Sequence, residues 1–115
     1  MNNIYIMSAV RSAVGTFGGS LKDFHPVDLG TLVAKEAIER SGFQKEEISH
    51  AVFGNVIHTE PRDMYVSRVI ALQSGMKKDS AAFTVNRLCG SGLQAIVSAT
   101  QLIALEDTEL ALAGG

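Results

Sequence analysis

Short apolar runs alternate with longer stretches in which apolar residues recur every three or four positions, and this alternation predicts strands and helices in turn. Residues 3–10, with Ile4, Ile6, Ala9 and Val10 around an aromatic, read as a buried first strand. Residues 11–19 carry Gly15, Gly18 and Gly19 and read as a loop. After Asp28, the positions Leu29, Leu32, Val33, Ala37 and Ile38 keep helical spacing, and Gly42 supplies a stop. A second strand is expected over 50–57. Pro61 then forces a turn before a helix from about Asp63 to Ser74, with Met64, Val66, Val69, Ile70 and Leu72 on its apolar side. Gly75 ends it. A third strand over 82–85, a helix over 91–105 and a fourth strand over 110–113 complete the series. Strands alternating with helices of this length need crossover connections, so the expected class is α/β, a βαβαβαβ segment with a mainly parallel, right-handed sheet. Working residues in such sheets gather beyond the carboxyl ends of the strands, here 11–19, 58–63, 86–89 and the final Gly114 and Gly115.

The helix over 91–105 changes the picture, because no charged residue occurs from Leu88 through Leu105. A surface helix normally carries a charged face, so this one is expected to be covered on nearly all sides. The apolar run 110–113 ends two glycines later, where the chain stops, and a buried strand leading nowhere is expected to belong to a larger protein. Composition narrows the function classes. Ten Lys and Arg against twelve Asp and Glu give a net charge of −2, not the basic footprint of a nucleic-acid binder. No segment reaches the roughly 18 apolar residues of a membrane span, and the amino terminus has no leader pattern. One cysteine makes no internal disulfide and no paired-cysteine zinc site, which fits a reducing, cytoplasmic setting and gives metal binding no support.

That cysteine, Cys89, is the candidate nucleophile. It sits where the third strand gives way to the charge-free helix, followed by Gly90 and Gly92. Free N–H groups and the partial positive charge of a helix start favour a thiolate, the reactive species. Glycines beside it let a substrate carbonyl approach the backbone and accept hydrogen bonds there, with the Cys89 N–H as one oxyanion donor. That combination suits acyl transfer.

At Asn86, Cys89, Gly90, Ser91 and Gly92 the chain strongly resembles the thiolase family, the acetyl-CoA acetyltransferases and 3-ketoacyl-CoA thiolases. Ala9, Val10 and Arg11 with Gly15, Phe17, Gly18 and Gly19 resemble the family's opening strand and loop, Gly54, Asn55 and Val56 its second strand, and Gly114 with Gly115 the doublet closing a later strand. Residues 60–65 look most like the broad-specificity β-ketothiolases. The resemblance implies a layered fold with a helix layer between two sheets, in which the charge-free helix finds its cover. It also implies acyl exchange between coenzyme A thioesters through a thioester on Cys89, in thiolysis or condensation. Coenzyme A thioesters enter as substrates, acetyl-CoA and 3-ketoacyl-CoA, and no tightly bound cofactor is implied. The family's activating histidine, second cysteine, water-positioning asparagine and coenzyme A loop domain have no counterpart in these 115 residues. The chain thus resembles a partial amino-terminal domain, working as a homodimer or homotetramer of a longer protein or with a complementary downstream fragment.

Two other readings stand beside this one. A ketoacyl synthase-type condensing enzyme also uses a cysteine after a strand, although the Cys-Gly-Ser-Gly context favours a thiolase. The non-enzymatic reading is a truncated product, inactive without downstream polypeptide. Elsewhere the ordinary explanation is preferred: Ser91 as a helix-start residue, His58 as a polar loop residue, and Glu60, Arg62 and Asp63 as a solvated or subunit-facing charge group. Asn86 either closes the strand turn or orders the site.

Overall fold

The computed structural model describes residues 2–115. It contains α1 (Pro26–Ser41), β1 (His50–Gly54), α2 (Val66–Gln73), β2 (Ala81–Val85), α3 (Ser91–Ala104) and β3 (Ala111–Gly114), with 3-10 turns at Lys45–Glu47 and Pro61–Tyr65. The strands form one parallel sheet in the order β2-β1-β3, registered His50 with Ala81 and Gly54 with Val85 on one side, His50 with Ala111 on the other. The α/β class read from the sequence is the class observed.

Period-two alternation in β1 sends Ala51 and Phe53 to one face and Val52 to the other. Ala51 and Phe53 join α1 and α2 in a core with Val27, Ala34, Ile38, Val66, Ile70 and Leu112. Val52 packs instead against Ala95 and Ala99 of α3. Helices on opposite faces follow from topology: β1 to β2 and β2 to β3 run in opposite directions across the sheet, so two crossovers of one hand need α2 on one face and α3 on the other. Complete burial of Val52 against α3 is worth roughly 1.5–3 kcal/mol.

Three expectations need correction. Residues 3–10 form no strand: Tyr5 and Ile6 are 72% and 76% exposed, and the segment lies beside α1, where Ser8 Oγ donates to the Ala37 carbonyl at 2.6 Å. An apolar run becomes a strand only by bonding to a neighbour, and this one pairs with neither sheet edge. Second, the stripe α1 buries is Val27, Thr31, Ala34 and Ile38, while Leu32 is exposed. The helix has turned its small residues inward because it crosses α2 at Gly30, whose missing Cβ leaves room for the Ile70 side chain. Third, the cover expected for α3 does not come from within the described residues: Ser91, Ala95 and Ala99 are buried, whereas Leu93, Ile96 and Val97 stay exposed.

Candidate active site

β1 sends its chain to α2 on one face and β2 sends its chain to α3 on the other, so the carboxyl ends of these adjacent strands diverge. Such a point is where parallel sheets hold their ligands. The turn joining β2 to α3 crosses it and carries Cys89, which is exposed.

Five residues, 86–90, make this turn, and its geometry rests on Leu88. Leu88 has φ 50°, the left-handed region that costs a residue carrying a Cβ roughly 1–2 kcal/mol. Its amide donates to Asn86 Oδ1 at 3.0 Å, while its carbonyl accepts from the Ser91 amide at 3.1 Å and the Ser91 hydroxyl at 2.6 Å. The same Ser91 oxygen accepts the Arg87 amide at 2.8 Å. Asn86 therefore closes the turn, and Ser91, buried at 5% exposure, is an internal strut of it. Gly90, the N-cap of α3, faces open space: a Cβ there would meet nothing nearer than the Arg87 carbonyl at 3.5 Å. The backbone next to Cys89 is thus unobstructed on that side. Gly92 faces the chain itself, with Gly115 Cα 3.8 Å from where its Cβ would be. A Cβ on Gly54 would fall 2.6 Å from the Ser91 carbonyl carbon, so this glycine lets the start of α3 seat on the end of β1.

The other lip of the divergence is the loop from β1 to α2, held by Asp63. This residue has no exposure at all, which corrects the expectation of a solvated charge group. Its Oδ2 accepts from the Thr59 hydroxyl at 2.6 Å, the Thr59 amide at 2.7 Å and the Glu60 amide at 3.1 Å, while its carbonyl accepts from Asn55 Nδ2 at 3.1 Å. Burial pushes the carboxyl upward, but the hydrogen bonds from Thr59 and Glu60 and the attraction of His58 outweigh it, so the group sits below its ordinary value. The sequence signal was available: Glu60 and Asp63, three apart around Pro61, form a capping box with proline at the first helical position. Ser67 was likewise missed. Fully buried at the start of α2, its hydroxyl accepts the Phe53 amide at 2.7 Å and donates to the Phe83 carbonyl at 2.6 Å, joining β1 to β2 just below the divergence.

None of the three histidines pairs with the thiol. His25 Nδ1 lies 3.4 Å from Glu60 Oε1, which also takes Arg62 at 3.0 Å; His50 opens β1 at the opposite end of the sheet; His58 is exposed in the loop. A groove of about 330 Å³ lined by Ile38, Glu39, Gly42, Phe43, Gln44 and Lys45 also lies at the amino end of the strands. Among the described residues no three His, Cys, Asp or Glu side chains cluster to hold a metal, and no helix is long and apolar enough to cross a membrane.

Residues 4–115 match the family described as "Thiolase, N-terminal domain". The chain belongs to the thiolase family. It is 57% identical over 112 residues to the beta-ketothiolase BktB of Cupriavidus necator, covering 97% of this chain and 28% of that protein. Bovine mitochondrial 3-ketoacyl-CoA thiolase is 38% identical over 115 residues, all of this chain and 29% of that one. The crystal structure of Bacillus anthracis acetyl-CoA acetyltransferase superposes with a TM-score of 0.90 at 39% identity, covering 96% of this chain and 28% of that one. Human mitochondrial 3-ketoacyl-CoA thiolase in complex with CoA superposes with a TM-score of 0.85 at 39% identity, covering 88% and 26%. The thiolase chain described here therefore spans somewhat more than a quarter of the length of these relatives.

Proposed function

We propose that this chain carries the nucleophile of a thiolase, Cys89, which takes an acyl group from one coenzyme A thioester and passes it on as a thioester. The reading rests on one observation above the others: the lone thiol stands exposed on an over-restrained turn at the divergence of β1 and β2. In thiolysis the Cys89 sulfur attacks the 3-keto carbon, a C–S bond forms, and the bond between C2 and C3 breaks. The electron pair leaves on C2, which takes a proton to give acetyl-CoA. The thiol of a second coenzyme A then attacks the Cys89 thioester, and the sulfur of Cys89 is released. Condensation is the same path reversed. The backbone of Cys89, Gly90 and Gly92 is assigned to the approach of the acyl carbonyl.

The substrates in this reading are acetyl-CoA and a 3-ketoacyl-CoA, as the names of the relatives suggest. The remaining catalytic groups are supplied by polypeptide outside these residues, since none of the histidines meets the thiol. The same polypeptide covers the exposed Leu93, Ile96 and Val97 face of α3. A homodimer or homotetramer is assigned to the whole protein, its contact near the β2 edge, where Phe83 is 40% exposed. The test is coenzyme A-dependent cleavage of acetoacetyl-CoA by the whole protein. Loss with Cys89→Ser at unchanged folding is expected; retained cleavage would remove Cys89 from the mechanism.

A further inference from the structure

A leucine held at φ 50° immediately before the nucleophile, in a turn with more hydrogen bonds than a turn needs, is strain kept in place by its surroundings. The restraint comes from two side chains. Asn86 Oδ1 holds the Leu88 amide at 3.0 Å, and the Ser91 hydroxyl spans the turn from the Arg87 amide at 2.8 Å to the Leu88 carbonyl at 2.6 Å. Ser91 is itself fixed, because it is buried and seated on Gly54 with no room to shift toward β1. Neither side chain needs to touch a substrate to matter. Leu88 and Cys89 share a peptide plane, so any relaxation of Leu88 toward an ordinary φ swings the Cys89 amide and sulfur together.

We infer that Ser91 and Asn86 are positioning residues whose hydrogen bonds latch Leu88 in the left-handed conformation and so aim Cys89 at its substrate. The inference rests on Cys89 being the acyl acceptor, but the latch is measurable without it. A latch against strain predicts a specific non-additivity. Glycine enters the left-handed region freely, so Leu88→Gly removes the strain that the latch opposes. A Ser91 acting only as a packed helix-start residue leaves the two substitutions additive.

The experiment measures two rates on the whole protein: alkylation of Cys89 by iodoacetamide, and turnover with acetoacetyl-CoA and coenzyme A. Ser91→Ala is expected to slow alkylation and kcat about ten-fold, the equivalent of one or two lost hydrogen bonds, with KM little changed. Leu88→Gly with Ser91→Ala is expected to recover most of the loss, and a crystal structure of Ser91→Ala to show Leu88 at negative φ. The latch is overturned if Ser91→Ala leaves both rates alone, or if Leu88→Gly gives no recovery in a folded double variant. Should Ser91→Ala fail to fold, Asn86→Ala with and without Leu88→Gly reads the same cycle from the other restraint. Failure of the acyl-acceptor reading looks different: turnover survives Cys89→Ser whatever happens to the alkylation cycle.

Discussion

Replacing Gly54 by alanine tests how the turn carrying Cys89 is seated. The new methyl would lie 2.6 Å from the Ser91 carbonyl carbon and 2.7 Å from its Cβ and oxygen, all atoms that cannot rotate aside. Ordinary contact begins near 3.4 Å, so the start of α3 must retreat by about 0.8 Å. Overpacking of this kind costs about 1–3 kcal/mol. A fall in Tm is therefore expected in a thermal melt of the whole protein. The displacement also reaches Cys89 two residues away, and a misplacement near 1 Å at a reacting centre costs about a hundred-fold in rate. Gly92→Ala is the internal control. Among the described residues its methyl would meet only Gly115 Cα at 3.8 Å, and alanine is the better helix former, so its Tm should match or exceed the parent's. A Gly54→Ala protein melting within a degree of the parent, with Cys89 alkylated at the same rate, would refute the idea that α3 is seated on β1.

Two further outcomes follow from the buried polar groups. The folded Asp63 carboxyl sits below its ordinary value, so its contribution is whole above the unfolded value of about 3.9 and is lost as pH falls through the lower folded value. The stability difference between the parent and Asp63→Asn, read by urea unfolding, should therefore be fully developed at pH 5 and shrink below pH 4; a difference that grows as pH falls from 5 contradicts the sign. Ser67→Ala strips the shared partner from the Phe53 amide and the Phe83 carbonyl and should cost about 1–3 kcal/mol in the same assay. A cost under a few tenths would mean that β1 and β2 close up directly.

Periodicity and punctuation made most of the fold legible. Gly42 and Gly75 stop helices where the sequence said they would, each with positive φ, and the apolar runs around Val52, Thr84 and Leu112 are the three strands. The first apolar run was indistinguishable from these, because pairing is decided by a neighbour and not by the run itself; the sheet described here offers residues 3–10 no partner. The inward face of α1 was hidden for a different reason. Hydrophobic spacing favoured Leu32, but close approach to Ile70 at Gly30 rewards small residues, and Thr31 and Ala34 took the interface. At the site, Cys89 and its glycines stood out by residue type alone. Ser91, Ser67 and Asp63 did not, since a serine or aspartate reads as surface until its hydrogen bonds are seen. Leu88 carried no signal at all, because nothing in a leucine announces a left-handed backbone.

Brief incubation of the whole protein with acetyl-CoA, followed by mass analysis of the peptide containing Cys89, bears most directly on the acyl-acceptor role. One acetyl group on Cys89, removed by hydroxylamine as thioesters are and released by added coenzyme A, is the predicted result. An unmodified Cys89 peptide from protein that still cleaves acetoacetyl-CoA would contradict it.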